Sequence, residues 1–147
     1  VSALSRVLPP DARLTRASKW HVTLAFLGAA PPPAVAAALD DVEPVRAFSL
    51  RLVGAGNFGK AVWAGIDGDL GELSRLRDRI RGALTGAGFK TDDRPFQPHL
   101  TVSYQNERSV YRALSAYSGA DWRATEFALV NSHDGEYETL QTWPLPE

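Results

Sequence analysis

Hydrophobic and polar positions alternate with period two in two short stretches of the chain. In Trp20-His21-Val22-Thr23-Leu24-Ala25-Phe26-Leu27, Val22, Leu24 and Phe26 point one way and His21, Thr23 and Ala25 the other. That pattern predicts a strand with one apolar face, ended by Gly28. After Pro98, His99-Leu100-Thr101-Val102-Ser103-Tyr104 alternates likewise and puts His99, Thr101 and Ser103 on one face. Strands are also predicted at Phe48–Val53 and Ala61–Ile66, joined by a glycine-punctuated turn over Gly54–Gly59. Two more close the chain at Trp122–Ser132 and Tyr137–Trp143.

Helical spacing governs the remainder. Residues 1–8 have the character of a helix end, stopped by Pro9-Pro10, with a polar connector to Lys19. Pro31-Pro32-Pro33 leads into a short alanine-rich helix over residues 33–43. Leu70, Leu73, Leu76, Ile80 and Leu84 recur at helical intervals behind Asp69 and Glu72, an N-terminal capping pair, and this helix ends near Gly86–Gly88. A further helix is predicted over residues 107–117. A strand carrying His-x-Thr, then a helix, then paired strands, occurs twice. The order is that of an α+β protein with mainly antiparallel sheets in two related halves, and no segment has the composition of a linker between independent domains.

Composition narrows the function classes. The 147 residues, 44% hydrophobic and 22% charged, suffice for one domain with a real core or for two small lobes. Sixteen basic against seventeen acidic residues give a formal charge of -1, so there is no global positive field to hold a long duplex. Small nucleotides or a strand terminus need only local charge. Cysteine is absent, which removes disulfides, thiolate nucleophiles and cysteine-ligated zinc, and a cytoplasmic location is expected. No apolar run approaches the ~20 residues that span a bilayer, so no membrane association is expected. Methionine is absent even at position 1, so the chain is expected to lack N-terminal residues that would have carried any targeting signal.

The candidate chemistry lies in the doubled tetrads His21-Val22-Thr23-Leu24 and His99-Leu100-Thr101-Val102. Two His-x-Thr matches in a chain this size arise by chance roughly one or two times in a hundred, from average residue usage. Alternation sets each threonine about two strand rises (~7 Å) from its histidine on the same face. If the two halves face each other, two imidazoles and two hydroxyls converge. Phosphodiester chemistry needs that set. A neutral imidazole takes a proton from the attacking oxygen, and a protonated one gives a proton to the departing oxygen. The threonine hydroxyls donate to the non-bridging oxygens. Histidine suits both tasks, with a reference pKa of ~6.5. Neither a metal nor another cofactor is then required. A lone histidine on a strand is ordinarily a packed or surface residue; the matched pair sets these two apart. Metal binding by His21 and His99 would need a further ligand, and no His-x-His or His-x-x-x-His spacing is present. His133, in a turn-like segment without a matching partner, is expected at the surface. No Gly-x-Ser-x-Gly elbow, Walker loop or dinucleotide glycine fingerprint appears. Arg75, Arg77, Arg79 and Arg81 lie mostly off the apolar stripe of their helix, as a solvated face or an RNA-binding strip.

These residues resemble the two-histidine phosphoesterases, and within them the bacterial RNA 2′,3′-cyclic phosphodiesterases, historically called 2′-5′ RNA ligases. The resemblance extends through Leu24-Ala25-Phe26-Leu27-Gly28, the strand Ala61-Val62-Trp63-Ala64-Gly65, Gly88-Phe89, Arg94-Pro95-Phe96 and Pro98-His99, so it covers nearly the whole chain. It implies a bilobal fold with a pseudo-twofold axis, helices on the outside, and one His-x-Thr strand from each lobe facing a central cleft. Residues 1–147 would form a single two-lobed phosphoesterase domain lacking its N-terminal strand. It further implies that His99 is the general base activating water, that His21 is the general acid protonating the ribose 3′ oxygen, and that Thr23 and Thr101 hold the phosphate. The product would be a 2′-phosphate, with an RNA 3′ terminus or a small cyclic nucleotide as substrate, a monomeric enzyme and no obligate protein partner.

Two alternatives stay open: a nucleotide- or RNA-end-binding module without turnover, and an enzyme joining RNA ends through 2′-5′ linkages. The former draws on Tyr104, which stands where many relatives carry an arginine; Arg94, Lys60 or Arg108 are the candidate substitutes. Trp20, Phe58, Trp63 and Phe96 lie near the motifs, as packed residues or as stacking partners for a base.

Overall fold

The computed structural model describes residues 2–147; Val1, which the first predicted helix includes, lies outside the described residues. The chain divides into two compact units, one of Val1–Thr23, Ser49–Gly68 and Gln97–Trp122, the other of Leu24–Phe48, Asp69–Phe96 and Arg123–Glu147. The architecture is α+β with antiparallel strand pairing, as the element order predicts.

A four-stranded sheet runs in the order β3-β2-β1-β4, with β1 at Phe48–Phe58, β2 at Ala61–Gly68, β3 at His99–Ser103 and β4 at Trp122–Ala124. Period-two alternation sorts its faces. Val62, Ala64 and Val102 are buried on one of them with Leu4 and Leu8 from the α1 region (Ser2–Val7 and just beyond) and Val110 and Leu114 from α4 (Arg108–Ser115). Burying each such leucine or valine stabilises the unit by roughly 1.5–3 kcal/mol. Trp63, Gly65, His99 and Thr101 alternate with these core residues and take the opposite face. Trp63 pairs with Thr101, and Gly65 with His99.

The β1–β2 hairpin is longer than its glycines predict. A register shift between Leu52 and Ala55 surrounds Gly54, at φ 74, after which pairing resumes through Phe58 and Ala61. A bulge with a left-handed glycine takes up the extra residue without ending the strand. The turn therefore shrinks to Gly59 and Lys60.

The segment Trp20–Leu27 is not a strand. Val22 forms one isolated antiparallel bridge to Leu100, and the expected apolar face fails at Phe26, which is 66% exposed. Alternation supplies a strand's side chains but not its ladder. The edge of β3 is shared here, because Thr15 already donates its backbone N–H to the Val102 carbonyl at 2.8 Å. One bridge is what that edge leaves for the histidine segment.

In the second unit, α2 (Pro32–Asp40) begins with prolines in its first turn, and α3 (Leu70–Gly86) buries Leu73, Leu76, Ile80 and Leu84. Leu70 is 37% exposed and does not join that stripe. Asp69 stands at the N-cap but makes no capping hydrogen bond through its side chain, because its ψ of 63 departs from the extended geometry that aims a cap oxygen at the first turn. The predicted strand Trp122–Ser132 breaks at Thr125, whose carbonyl accepts the Leu145 N–H. Beyond it, β5 (Glu126–His133) and β6 (Glu136–Pro144) form a hairpin closed by Asp134 and Gly135 at φ 51 and 78, the signs a type I′ turn requires. Phe127 stacks on Trp143 at 5.2 Å, and the Trp143 indole N–H donates to Asp40 at 2.9 Å, which ties the hairpin to α2. Among the described residues no helix is long and apolar enough to cross a membrane.

Candidate active site

His99 opens β3, and its ring is held from two sides. Nδ1 lies 2.7 Å from the Gln97 carbonyl. Because a carbonyl only accepts, Nδ1 carries the hydrogen, and in the neutral ring Nε2 is the basic nitrogen. Phe58 meets the ring edge-on at 5.1 Å between centroids, and Trp63 lies tilted against it at 5.4 Å. Trp63 is buried to 7% exposure because its indole crosses the flat backbone of Gly56, its cross-strand partner. The indole Nε1–H is buried with no partner among the described residues, a desolvation cost of about 1–3 kcal/mol.

His21 repeats this arrangement from a segment without regular structure. Its Nδ1 lies 2.7 Å from the carbonyl of Lys19, again two residues upstream. Lys19 closes a single 3-10 turn, Ala17–Lys19, which sets the direction of that carbonyl. Both histidines thus have the same tautomer, imposed by the same local backbone geometry.

The Val22–Leu100 bridge brings the two tetrads together. Continued in that antiparallel register, His21 falls opposite Thr101 and Thr23 opposite His99. The two histidines are diagonal neighbours, a relationship that places α-carbons roughly 7–8 Å apart. Thr23 and His21 are exposed, and Thr101 and His99 half-buried. His21, Thr23, His99 and Thr101 all belong to the first unit, and Leu24, the last residue of the first tetrad, opens the second.

Ser103, the next residue on the predicted face, is fully buried; its hydroxyl donates to the Arg13 carbonyl at 2.7 Å and accepts the Gln105 N–H. It anchors the connector. Arg13 also pairs with Glu107 at 2.9 Å, and this hydrogen bond holds the Glu107 carboxyl below the usual carboxylate range.

The other candidate residues have surroundings of their own. Tyr104 is 52% exposed. Arg94 is paired with Asp92, which keeps that carboxyl low. Lys60 occupies the β1–β2 turn, its carbonyl accepting the Asn106 N–H, and Arg108 begins α4. The arginine strip of α3 is not a bare cationic surface. Arg75 pairs with Glu72, Arg77 stacks on Phe96 at 4.5 Å, and Arg79 donates to the carbonyls of Glu43 and Pro44. Arg81 donates to Thr91 and to the Asp92 carbonyl. His133 is at the surface beside Asp134. Among the described residues no three His, Asp or Glu side chains cluster as a metal site would.

Sequence reasoning missed the carbonyls of Lys19 and Gln97, because a backbone acceptor leaves no mark on residue type. It also missed Thr15 and Gly56. Glycine inside a strand marks a close approach, but Gly56 lies in a glycine-punctuated stretch that has the pattern of a turn.

The profile of the 2′-5′ RNA ligase superfamily matches residues 7–136. The chain is 33% identical over 144 residues to an RNA 2′,3′-cyclic phosphodiesterase of Geobacillus stearothermophilus, covering 86% of this chain and 45% of that protein. It is 34% identical over 91 residues to the protein of the same name from Aeropyrum pernix, covering 57% and 52%. The chain therefore spans about half the length of these relatives. The crystal structure of E. coli LigT complexed with 3′-AMP superposes with a TM-score of 0.75 at 26% identity, covering 99% of this chain and 88% of that one. With a family match over residues 7–136, most of its length, the chain belongs to the 2′-5′ RNA ligase superfamily.

Proposed function

We propose that the chain hydrolyses 2′,3′-cyclic phosphates, at RNA 3′ ends or on small nucleotides, to 2′-phosphates by metal-independent acid–base catalysis. One observation carries the reading: both imidazoles have Nδ1 tied to a carbonyl two residues upstream, so each offers Nε2 for proton transfer. In the first step Nε2 of neutral His99 takes a proton from water as its oxygen attacks phosphorus. As that bond forms, the bond from phosphorus to the ribose 3′ oxygen breaks. Protonated His21 gives its Nε2 proton to the departing oxygen. Thr23 and Thr101 donate to the non-bridging oxygens, where negative charge gathers. The two rings end the cycle with their protonation states exchanged, and exchange with water restores them.

The relatives named RNA 2′,3′-cyclic phosphodiesterase and the 3′-AMP bound to E. coli LigT support this substrate class. The 147 residues would act as one phosphoesterase domain, as a monomer in the cytoplasm. Phosphorus NMR of a nucleoside 2′,3′-cyclic phosphate in excess chelator tests the proposal, with wild type, His21→Ala and His99→Ala. The expected result is a 2′-phosphate from wild type and a rate lower by ~10²–10⁴-fold in either variant. Activity abolished by chelator and restored by zinc would overturn the reading, as would tight nucleotide binding with no change in the phosphorus spectrum.

A further inference from the structure

His21 has a catalytic role in the proposed function, yet it lies in a segment with no ladder of its own. Its Nδ1 is tied to the Lys19 carbonyl, and its neighbour Val22 is bridged to Leu100. Such a segment needs another restraint to hold a ring to the tolerance that proton transfer demands, because a displacement of about 1 Å can cost ~10²-fold in rate.

The side chains of Thr15 and Trp20 supply one. The Thr15 backbone N–H is bonded to the Val102 carbonyl at 2.8 Å, which seats residue 15 on the edge of β3. The Thr15 hydroxyl donates to the same carbonyl at 3.2 Å and lies 3.5 Å from that of Thr101. Its oxygen then accepts the Trp20 indole N–H at 3.1 Å. Trp20, next to His21 in sequence, packs half-buried against the core that holds Val102 and Leu114. The chain thus leaves β3 at Thr15, makes its 3-10 turn, and returns at Val22 opposite Leu100, with the indole closing the loop between.

We infer that Thr15 and Trp20 are positioning residues for His21: their hydrogen bond sets the first imidazole in register with the His99 strand. The inference rests on the proposed function only for its kinetic consequence. The restraint itself is local, and acts on His21 through Trp20 and Lys19 rather than on His99, whose acceptor is Gln97 and whose ring packs on Phe58 and Trp63.

Thr15→Val keeps the volume and removes the hydroxyl, Trp20→Phe removes the donor, and Thr15→Ser restores the hydroxyl. The expected result is a roughly tenfold fall in kcat for each of the first two, with KM changed less than about twofold. Thr15→Ser returns to within about twofold of wild type, and the double variant loses no more than either single one. Long-range proton–nitrogen NMR of the imidazoles reads the same restraint without turnover. Thr15→Val should shift the His21 ring resonances and leave those of His99 in place. Wild-type kcat in Thr15→Val, additive losses in the double variant, or equal disturbance of both rings would overturn the inference. If wild type turns over no cyclic phosphate, the proposed function fails while the ring resonances still decide the restraint.

Discussion

Trp63 and Gly56 are cross-strand partners, and the indole occupies the space where a β-carbon on Gly56 would stand. The same indole supports the ring of His99. Gly56→Ala must therefore displace Trp63. The expected outcome is destabilisation by about 1–3 kcal/mol, measured by urea titration, together with a fall in kcat larger than any change in KM. A variant as stable and as active as wild type would show that the indole does not position His99.

The acid–base proposal predicts a bell-shaped dependence of kcat/KM on pH, one limb for loss of the acid and one for loss of the base. The two limbs belong to the pair rather than to one residue each. Profiles recorded with a cyclic nucleotide in chelator test this, and a single limb would exclude one of the histidines as a proton carrier.

The Arg13–Glu107 bond gives stability a pH dependence of known sign. Glu107 is held below the usual carboxylate range in the folded protein, so its contribution is present above that range and fades as pH falls through the lowered value. Glu107→Gln should flatten the acid limb of stability below about pH 4.5 and leave stability at pH 7 the lower. Asp92, lowered by Arg94, keeps part of the slope. Chemical denaturation at a series of pH values measures the difference.

The arginines of α3 are engaged within their own unit, so their loss should register in stability before binding. Arg81→Ala removes donors to Thr91 and the Asp92 carbonyl and is expected to lower stability by about 1 kcal/mol. The salt dependence of KM for an RNA end should not change. A flattened salt dependence would restore the RNA-binding strip as a reading.

Helices α2, α3 and α4 and the hairpins were legible because side-chain periodicity and turn residues report on local geometry. Trp20–Leu27 has a strand's alternation and was misread because a ladder depends on what else occupies the neighbouring edge, here Thr15 against Val102. Gly54 has the sequence signature of a turn residue because left-handed glycines serve bulges and turns alike. The four tetrad residues could be picked out because their side chains carry the chemistry. Thr15, an ordinary connector residue by sequence, acquires its place only through partners far along the chain.

The orienting acceptors for both imidazoles are main-chain oxygens at positions 19 and 97. Substituting the side chains there leaves those oxygens in place, so the tautomers should persist through an exchange of either side chain. An alteration that redirects the peptide path, such as a proline inserted into the 17–19 turn, is what would unlock a ring.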